Sequence, residues 1–346
     1  LPQHSRKTRF AAVDVGSHTI RLLIAEACEE SSLQILHVDR RITRLARGFG
    51  DDEALKPPAI AESLNVLLDY RAIMASQGVE AVTCGATGVV RRARNGKGLI
   101  DLIRRTTGLP ATILSETDEA FISAKGVLSA LPPVDGPILI FDLGGSSTEF
   151  LLLDPAKPES MWCTSVFIGA ATVTERHLEG DPPRHETVSR ASEAVQRALA
   201  PTLEHIEDLL HEGAETPAFL TLVGTAGTAT TLAAMRLGMT TYVPHRINGL
   251  VLPDNWLSET VGTLARLPFA ARRKLPGLES GREDIILAGA LIVREVLKGL
   301  KQASFIVSDA GLLEGLLLNL AEQEYNHPRA LATTLRWSFT RQRPSS

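Results

Sequence analysis

Val13-Asp14-Val15-Gly16-Ser17 and Phe141-Asp142-Leu143-Gly144-Gly145-Ser146-Ser147 are the two stretches on which the fold turns. Each is a short apolar run that ends in Asp, bends through Gly and Ser, and continues into a second apolar run. A carboxylate at the end of a buried strand is costly unless something partners it. Glycine admits positive φ and lets backbone N–H groups approach a ligand, serine adds a hydroxyl, and aspartate suits a hard cation or the water bound to it. Two such turns facing each other would grip a phosphate chain from both sides. Two unrelated tight hairpins are the plainer alternative for the same residues.

Working outward, the first turn sits between strands expected at 10–15 and 19–25, with a third strand at 33–39. Pro57 and Pro58 open a helix to about Ser76, followed by a strand at 79–84, a helix at 97–107 and a strand at 111–114. Ser115-Glu116-Thr117-Asp118-Glu119 starts the next helix, with Ser115 or Thr117 as its N-cap. The pattern then restarts with strands at 137–142, 148–153 and 159–166, a helix at 186–211, a strand at 218–223 and a helix from 226. Helices at 254–266 and 281–299, a strand at 304–307 and a closing helix from about 310 complete the chain. Three strands followed by alternating helix and strand, twice over, predict a duplicated α/β domain. The divisions are 1–130 and 131–309, with a helix at about 310–335 packing back on the first; Leu131-Pro132-Pro133-Val134-Asp135-Gly136-Pro137 is the connector.

Composition narrows the function classes. The chain has 346 residues, 44% apolar and 22% charged, with a net charge of −4. No global field recruits a polyanion, so a phosphate site must be a local cluster of donors and cations. That charge, with aromatics at 5%, argues against nucleic acid as a partner. Three cysteines, Cys28, Cys84 and Cys163, have no metal-ligand spacing and fit a reducing cytoplasm. The nine histidines form neither HExxH nor a Cys/His cluster, which argues against zinc. No apolar run approaches the roughly 18 residues of a membrane span, and no signal-type stretch follows the N-terminal residues.

A third glycine-rich segment, Leu222-Val223-Gly224-Thr225-Ala226-Gly227-Thr228, joins a strand to a helix, where N-terminal amides attract anions. It lacks the Gly-Lys-Ser/Thr of a P-loop. Taken in order, Ala12-Val13-Asp14-Val15-Gly16-Ser17, Gly85-Ala86-Thr87-Gly88-Val89-Val90-Arg91, Glu116-Thr117-Asp118-Glu119-Ala120, Asp142-Leu143-Gly144-Gly145-Ser146-Ser147-Thr148-Glu149 and Gly224-Thr225-Ala226-Gly227-Thr228 resemble the exopolyphosphatase/guanosine-pentaphosphate phosphatase family. Gly281-Arg282-Glu283-Asp284-Ile285-Ile286-Leu287-Ala288-Gly289 and Ser308-Asp309-Ala310-Gly311-Leu312-Leu313-Glu314-Gly315 extend the resemblance, which covers residues 10–318.

The resemblance implies two actin-like, ribonuclease H-like α/β domains with an active-site cleft between them. It implies Mg²⁺-dependent release of terminal phosphate from inorganic polyphosphate, or 5′-dephosphorylation of guanosine pentaphosphate, by a cytoplasmic enzyme able to dimerise. By position in the motifs, Glu119 is the general base, and Asp142 and Glu149 are the Mg²⁺-associated carboxylates. Phosphate contacts fall on Asp14, Gly16, Ser17, His18, Arg91, Gly144, Gly145, Ser146, Ser147, Gly224, Thr225 and Gly227. His18 stands where the family usually has Asn, and the chain resembles a short form without added C-terminal helical domains. A non-catalytic polyphosphate or nucleotide sensor on this fold is the rival from another class; a sugar or acetate kinase fits the Glu119 segment less well.

Overall fold

The computed structural model describes residues 8–28, 32–50, 52–132, 134, 136–155, 157–211, 220–324, 339 and 340. They fall into two units, one running up to Ala130 and resuming at Ala310, the other from Leu131 to Asp309. The first unit contains β1 (Arg9–Val15), β2 (Thr19–Cys28), β3 (Ser32–Ile42), α1 (Pro57–Ser76), β4 (Ala81–Ala86), α2 (Gly88–Arg92), α3 (Gly96–Thr107), β5 (Ala111–Ile113) and α4 (Glu116–Ser129). The second contains β6 (Ile138–Leu143), β7 (Thr148–Asp154), β8 (Lys157–Val166), α5 (Ala170–His177), α6 (His185–His211), β9 (Thr221–Thr225), α7 (Ala226–Arg236), β10 (Leu250–Pro253), α8 (Asp254–Arg266), α9 (Phe269–Arg272), α10 (Ile286–Gly299) and β11 (Ser304–Val307). The chain returns to the first unit with α11 (Leu312–Glu324) and β12 (Phe339–Thr340); the expected extension of this last helix to about residue 335 lies outside the described residues.

Each unit is one six-stranded mixed sheet. The first runs β12-β3-β2-β1-β4-β5 and the second β10-β11-β9-β6-β7-β8. In both, three antiparallel strands adjoin strands parallel to the first, β4 and β5 beside β1, and β9 and β11 beside β6. The second sheet adds β10 antiparallel to β11 at its edge.

Alternation along β1 shows how the first sheet is covered. Ala11, Val13 and Val15 pack into a core with Leu67 and Tyr70 of α1 and Ile103 of α3. Phe10 and Ala12 point the other way, onto Leu313, Leu316 and Leu317 of α11. A strand buried on both faces reads as a continuous apolar run, so helices from both ends of the chain are needed to cover it. Each leucine so buried contributes about 1.5–3 kcal/mol.

Local chemistry sets most boundaries. Pro57 and Pro58 occupy the first helical positions of α1, where a missing N–H costs nothing. Ser115, not Thr117, caps α4, its hydroxyl accepting from Asp118 N at 3.0 Å. The helix expected from 281 begins only at Ile286. Gly281 adopts φ +84°, and Glu283 folds back to accept from Gly281 N at 2.7 Å, so 281–285 is a turn. The elements α2, α5, α9 and β10, which the sequence pattern does not place, are each eight residues or fewer.

Candidate active site

The two Asp-Gly-Ser turns are built alike. Gly16 N donates to Thr19 O at 3.0 Å, and Gly144 N donates to Ser147 O at 3.0 Å. Neither glycine has positive φ, which corrects the conformational role expected for them. Glycine is needed for closeness: a Cβ at Gly16 would lie 3.0 Å from Thr19 O, and one at Gly144 would lie 3.3 Å from Ser147 O.

The turns also anchor their surroundings. Ser17 O accepts from Ala46 N, and the carbonyl of exposed His18 accepts from Thr43 N and Arg44 N. Ser17 Oγ accepts from Val89 N at 3.3 Å, tying the first turn to α2. In the second turn, Gly144 O accepts from Ala170 N, and Gly145 O accepts from Ala171 N and Thr172 N. Those carbonyls satisfy the first amides of α5, groups a helix cannot pair internally. Gly145 and Ser146 are exposed and Ser147 half-buried.

Strand register then gives the two turns opposite electrostatics. Asp14 lies opposite Arg21, and Asp142 lies opposite Glu149, in each case seven residues on across the hairpin. Register partners leave the sheet on the same face. In the first unit Asp14 Oδ2 accepts from Arg21 Nε at 3.0 Å and Nη2 at 2.8 Å. Its Oδ1 is buried and accepts no hydrogen bond among the described residues, so it is an acceptor left for water or a ligand proton. In the second unit two carboxylates face each other. Glu149 Oε1 accepts from Ser147 at 2.6 Å and Ser165 at 3.0 Å, and Thr225 is the register partner of Asp142 on its other side.

Like charges directly opposite in a sheet are destabilising, whereas a divalent cation between them converts repulsion into ligation. Mg²⁺ takes one or two protein carboxylates and completes its shell with water and phosphate oxygens, so Asp142 and Glu149 fit it. Among the described residues no cluster of three or more His, Cys, Asp or Glu side chains forms an all-protein metal cage.

Glu119 occupies the first turn of α4 with Glu116 and Asp118, near the positive end of the helix dipole. Its Oε2 accepts from Arg91 Nη1 at 2.6 Å. Arg91 is presented by α2, which begins at Gly88 with φ +45°. A Cβ at Gly88 would press on Ser17 Oγ, so glycine there lets α2 meet the first turn. Ser17, Arg91 and Glu119 thus form one connected set.

The third glycine segment assigns different duties to its residues. Positive φ falls on Ala226, at +64°, not on a glycine. A non-glycine residue there stores backbone strain. Gly224 sits in β9, where a Cβ would run into the rings of Phe141 and Phe305, themselves 5.4 Å apart; its lack of a side chain serves core packing. Thr225 is buried. Gly227 has the Arg282 guanidinium lying directly on it. Arg282 also pairs with Glu279, and burial pushes its pKa down, an effect the Tyr242 phenol opposes. Tyr242 is 49% exposed, and its hydroxyl donates to Asp309 Oδ1 at 2.5 Å. Arg21 and Arg282 are the site cations that motif reading did not single out. Arg21 becomes visible only from strand register, and Arg282 only from the space above Gly227.

A model of the Ppx/GppA phosphatase family matches residues 23–324. The chain belongs to the Ppx/GppA phosphatase family. Exopolyphosphatase 2 of Mycobacterium tuberculosis is 32% identical over 326 residues, covering 91% of this chain and 99% of that protein. The crystal structure of the Aquifex aeolicus Ppx/GppA family member shares 29% identity with a TM-score of 0.78, covering 93% of this chain and 100% of the other. An exopolyphosphatase from Cytophaga hutchinsonii, 22% identical with a TM-score of 0.77 over 93% of this chain and 99% of its own, has the same fold. As a Ppx/GppA phosphatase the protein is a hydrolase, and its two units are α/β domains of the actin-like type.

Proposed function

We propose that this Ppx/GppA phosphatase is an exopolyphosphatase that releases terminal phosphate from inorganic polyphosphate and requires Mg²⁺. The observation that carries this reading is the reversal of charge at one register position. Arg21 neutralises Asp14 in the first unit, whereas Glu149 confronts Asp142 in the second. A cation is what the second arrangement needs, and Mg²⁺ bound there would neutralise charge on the phosphate being transferred. Glu119 takes a proton from the attacking water, the water oxygen bonds to the terminal phosphorus, and the bridging electron pair leaves with the shortened chain. In the first unit, Ser17 and Arg91 offer donors to phosphate oxygens.

The test is phosphate release from polyphosphates of defined length with Mg²⁺ titrated and then chelated. Release that requires the cation is expected. No release at any length or cation concentration would overturn the exopolyphosphatase reading.

Guanosine pentaphosphate is the second reading, served by the same catalytic groups with a different leaving group. Side-by-side kcat/KM values on the two substrates decide between them. The proposal extends to a reducing cytoplasm, supported by the sparse cysteines and by Cys84 and Cys163 being free thiols.

If Arg282 contacts substrate phosphate, Gly227→Ala is expected to act through it. A methyl at 227 overlaps the guanidinium, which must withdraw. Losing one charge-assisted contact of about 1.5–3 kcal/mol raises KM by roughly 10- to 100-fold with kcat little changed. Arg282→Ala should give the same shift. An unchanged KM in both variants would remove Arg282 from the substrate path.

A further inference from the structure

Arg91 pairs with the proposed base, and its donors are divided in a specific way. Nη1 donates to Glu119 Oε2 at 2.6 Å and to Leu114 O at 3.0 Å. Both protons of that nitrogen are therefore committed. Nη2 lies 3.7 Å from Glu116 Oε1, an ion-pair distance too long for a hydrogen bond. Among the described residues neither Nε nor Nη2 donates a hydrogen bond to any group. The side chain is 26% exposed, so it is not sealed from solvent.

A guanidinium is planar and rigid, and its Nε–H and Nη2–H together form the fork that matches two oxygens of a phosphate. The opposite corner, Nη1, is the one that holds Glu119. Resting on the hydrolase reading above, we propose that Arg91 is the positioning residue for the catalytic base: one edge of its plane fixes the Glu119 carboxylate while the other takes the terminal phosphate. The base and the phosphorus are then set apart by the width of a single rigid group, with a water between them. This is a second duty, distinct from supplying positive charge to substrate.

The local structure supports that duty. The Leu114 carbonyl fixes the Nη1 corner independently of Glu119, since Leu114 sits between β5 and the Ser115 cap. The other end of Arg91 is fixed because α2 is held at Val89 N by Ser17 Oγ. A shift of the phosphate-binding turn therefore moves the base with it. Rate depends steeply on such placement; displacement of about 1 Å costs roughly 100-fold.

Lysine separates the two duties. Arg91→Lys keeps a cation for phosphate but presents a single ammonium that cannot occupy both edges. The experiment is a double-mutant cycle with Arg91→Lys, Glu119→Gln and the pair, measuring kcat, KM and Tm for polyphosphate hydrolysis. In the Glu119 enzyme, Arg91→Lys is expected to lower kcat by roughly 10- to 100-fold, more than it raises KM. In the Glu119→Gln background the same change should lower the residual kcat by a clearly smaller factor, because the base it positions is gone. A companion variant, Arg91→Ala, should regain kcat when free guanidinium is added, and should not do so with Gln at 119.

Equal fold losses in both backgrounds, or a change confined to KM, would reduce Arg91 to a phosphate contact and overturn the proposal. Full turnover by Glu119→Gln alone would instead overturn the base assignment, a result the cycle reports separately.

Discussion

Glu119→Gln lowers kcat for phosphate release by roughly 100- to 10,000-fold, the usual contribution of a positioned general base, and leaves KM close to that of the parent. Glutamine has the same shape and still offers a carbonyl oxygen to Arg91 Nη1, so the contact at 2.6 Å is weakened but not removed. What is lost is the ability to take a proton. The fold tolerates the change: Glu116 and Asp118 remain in the first turn of α4, and one fewer charge at a helix N-terminus costs about 0.3–1 kcal/mol. Steady-state phosphate release, with Tm measured on the same sample, separates chemistry from folding. Parent-like kcat would transfer the base role to another group.

The part of this site that was legible in the sequence is the part written in consecutive residues. Asp-Leu-Gly-Gly-Ser-Ser and its shorter partner are local, so their strands and turns could be placed to within three residues. Pro57-Pro58 fixed the start of α1 for the same reason. What sequence could not supply is anything decided by register or by non-local contact. The convergence of Asp142 and Glu149 is readable from their seven-residue spacing across the hairpin, but that Asp14 meets Arg21 by the same count is a comparison the motifs do not make. Arg282 reaches Gly227 from 55 positions away in the chain, through a turn that resembles the start of a helix.

Helix α5 illustrates the same limit. Its sequence, Ala-Ala-Thr-Val-Thr-Glu-Arg-His, is short and rich in β-branched residues, which lowers helix propensity. It forms because Gly144 O and Gly145 O accept from its first amides. Gly169 has no Cβ, and one there would strike the backbone of Gly145 and Ser146. Tertiary capping thus overrides local preference. The glycines of the first two turns lack the positive φ expected of them and pack closely against carbonyls, while the left-handed residue in the third turn is Ala226.

The second large effect is on stability, at the junction of α4 and α11. Lys125 is fully buried, and its Nζ donates to Asn319 Oδ1 at 2.8 Å and pairs with the equally buried Glu322. The helices come close enough for this because Gly126 lies against Gly311 and Gly315, and Gly315 lies against Ile122 O, with no room for a Cβ at either glycine. Lys125→Met should cost about 3–5 kcal/mol, because it leaves a carboxylate buried without its cation. Against a typical total of about 5–15 kcal/mol, that is a large fraction, and it should appear as a lower urea midpoint. Lys125→Met combined with Glu322→Leu should recover most of the loss, since replacing a buried ion pair with apolar groups of similar volume is often neutral or stabilising by about 1–4 kcal/mol. A single variant as stable as the parent would show that the pair carries no net energy. Recovery in the double variant would show that the cost was the stranded charge, and that α11, arriving from the far end of the chain, docks on the helix of Glu119 mainly through close backbone packing and apolar contact.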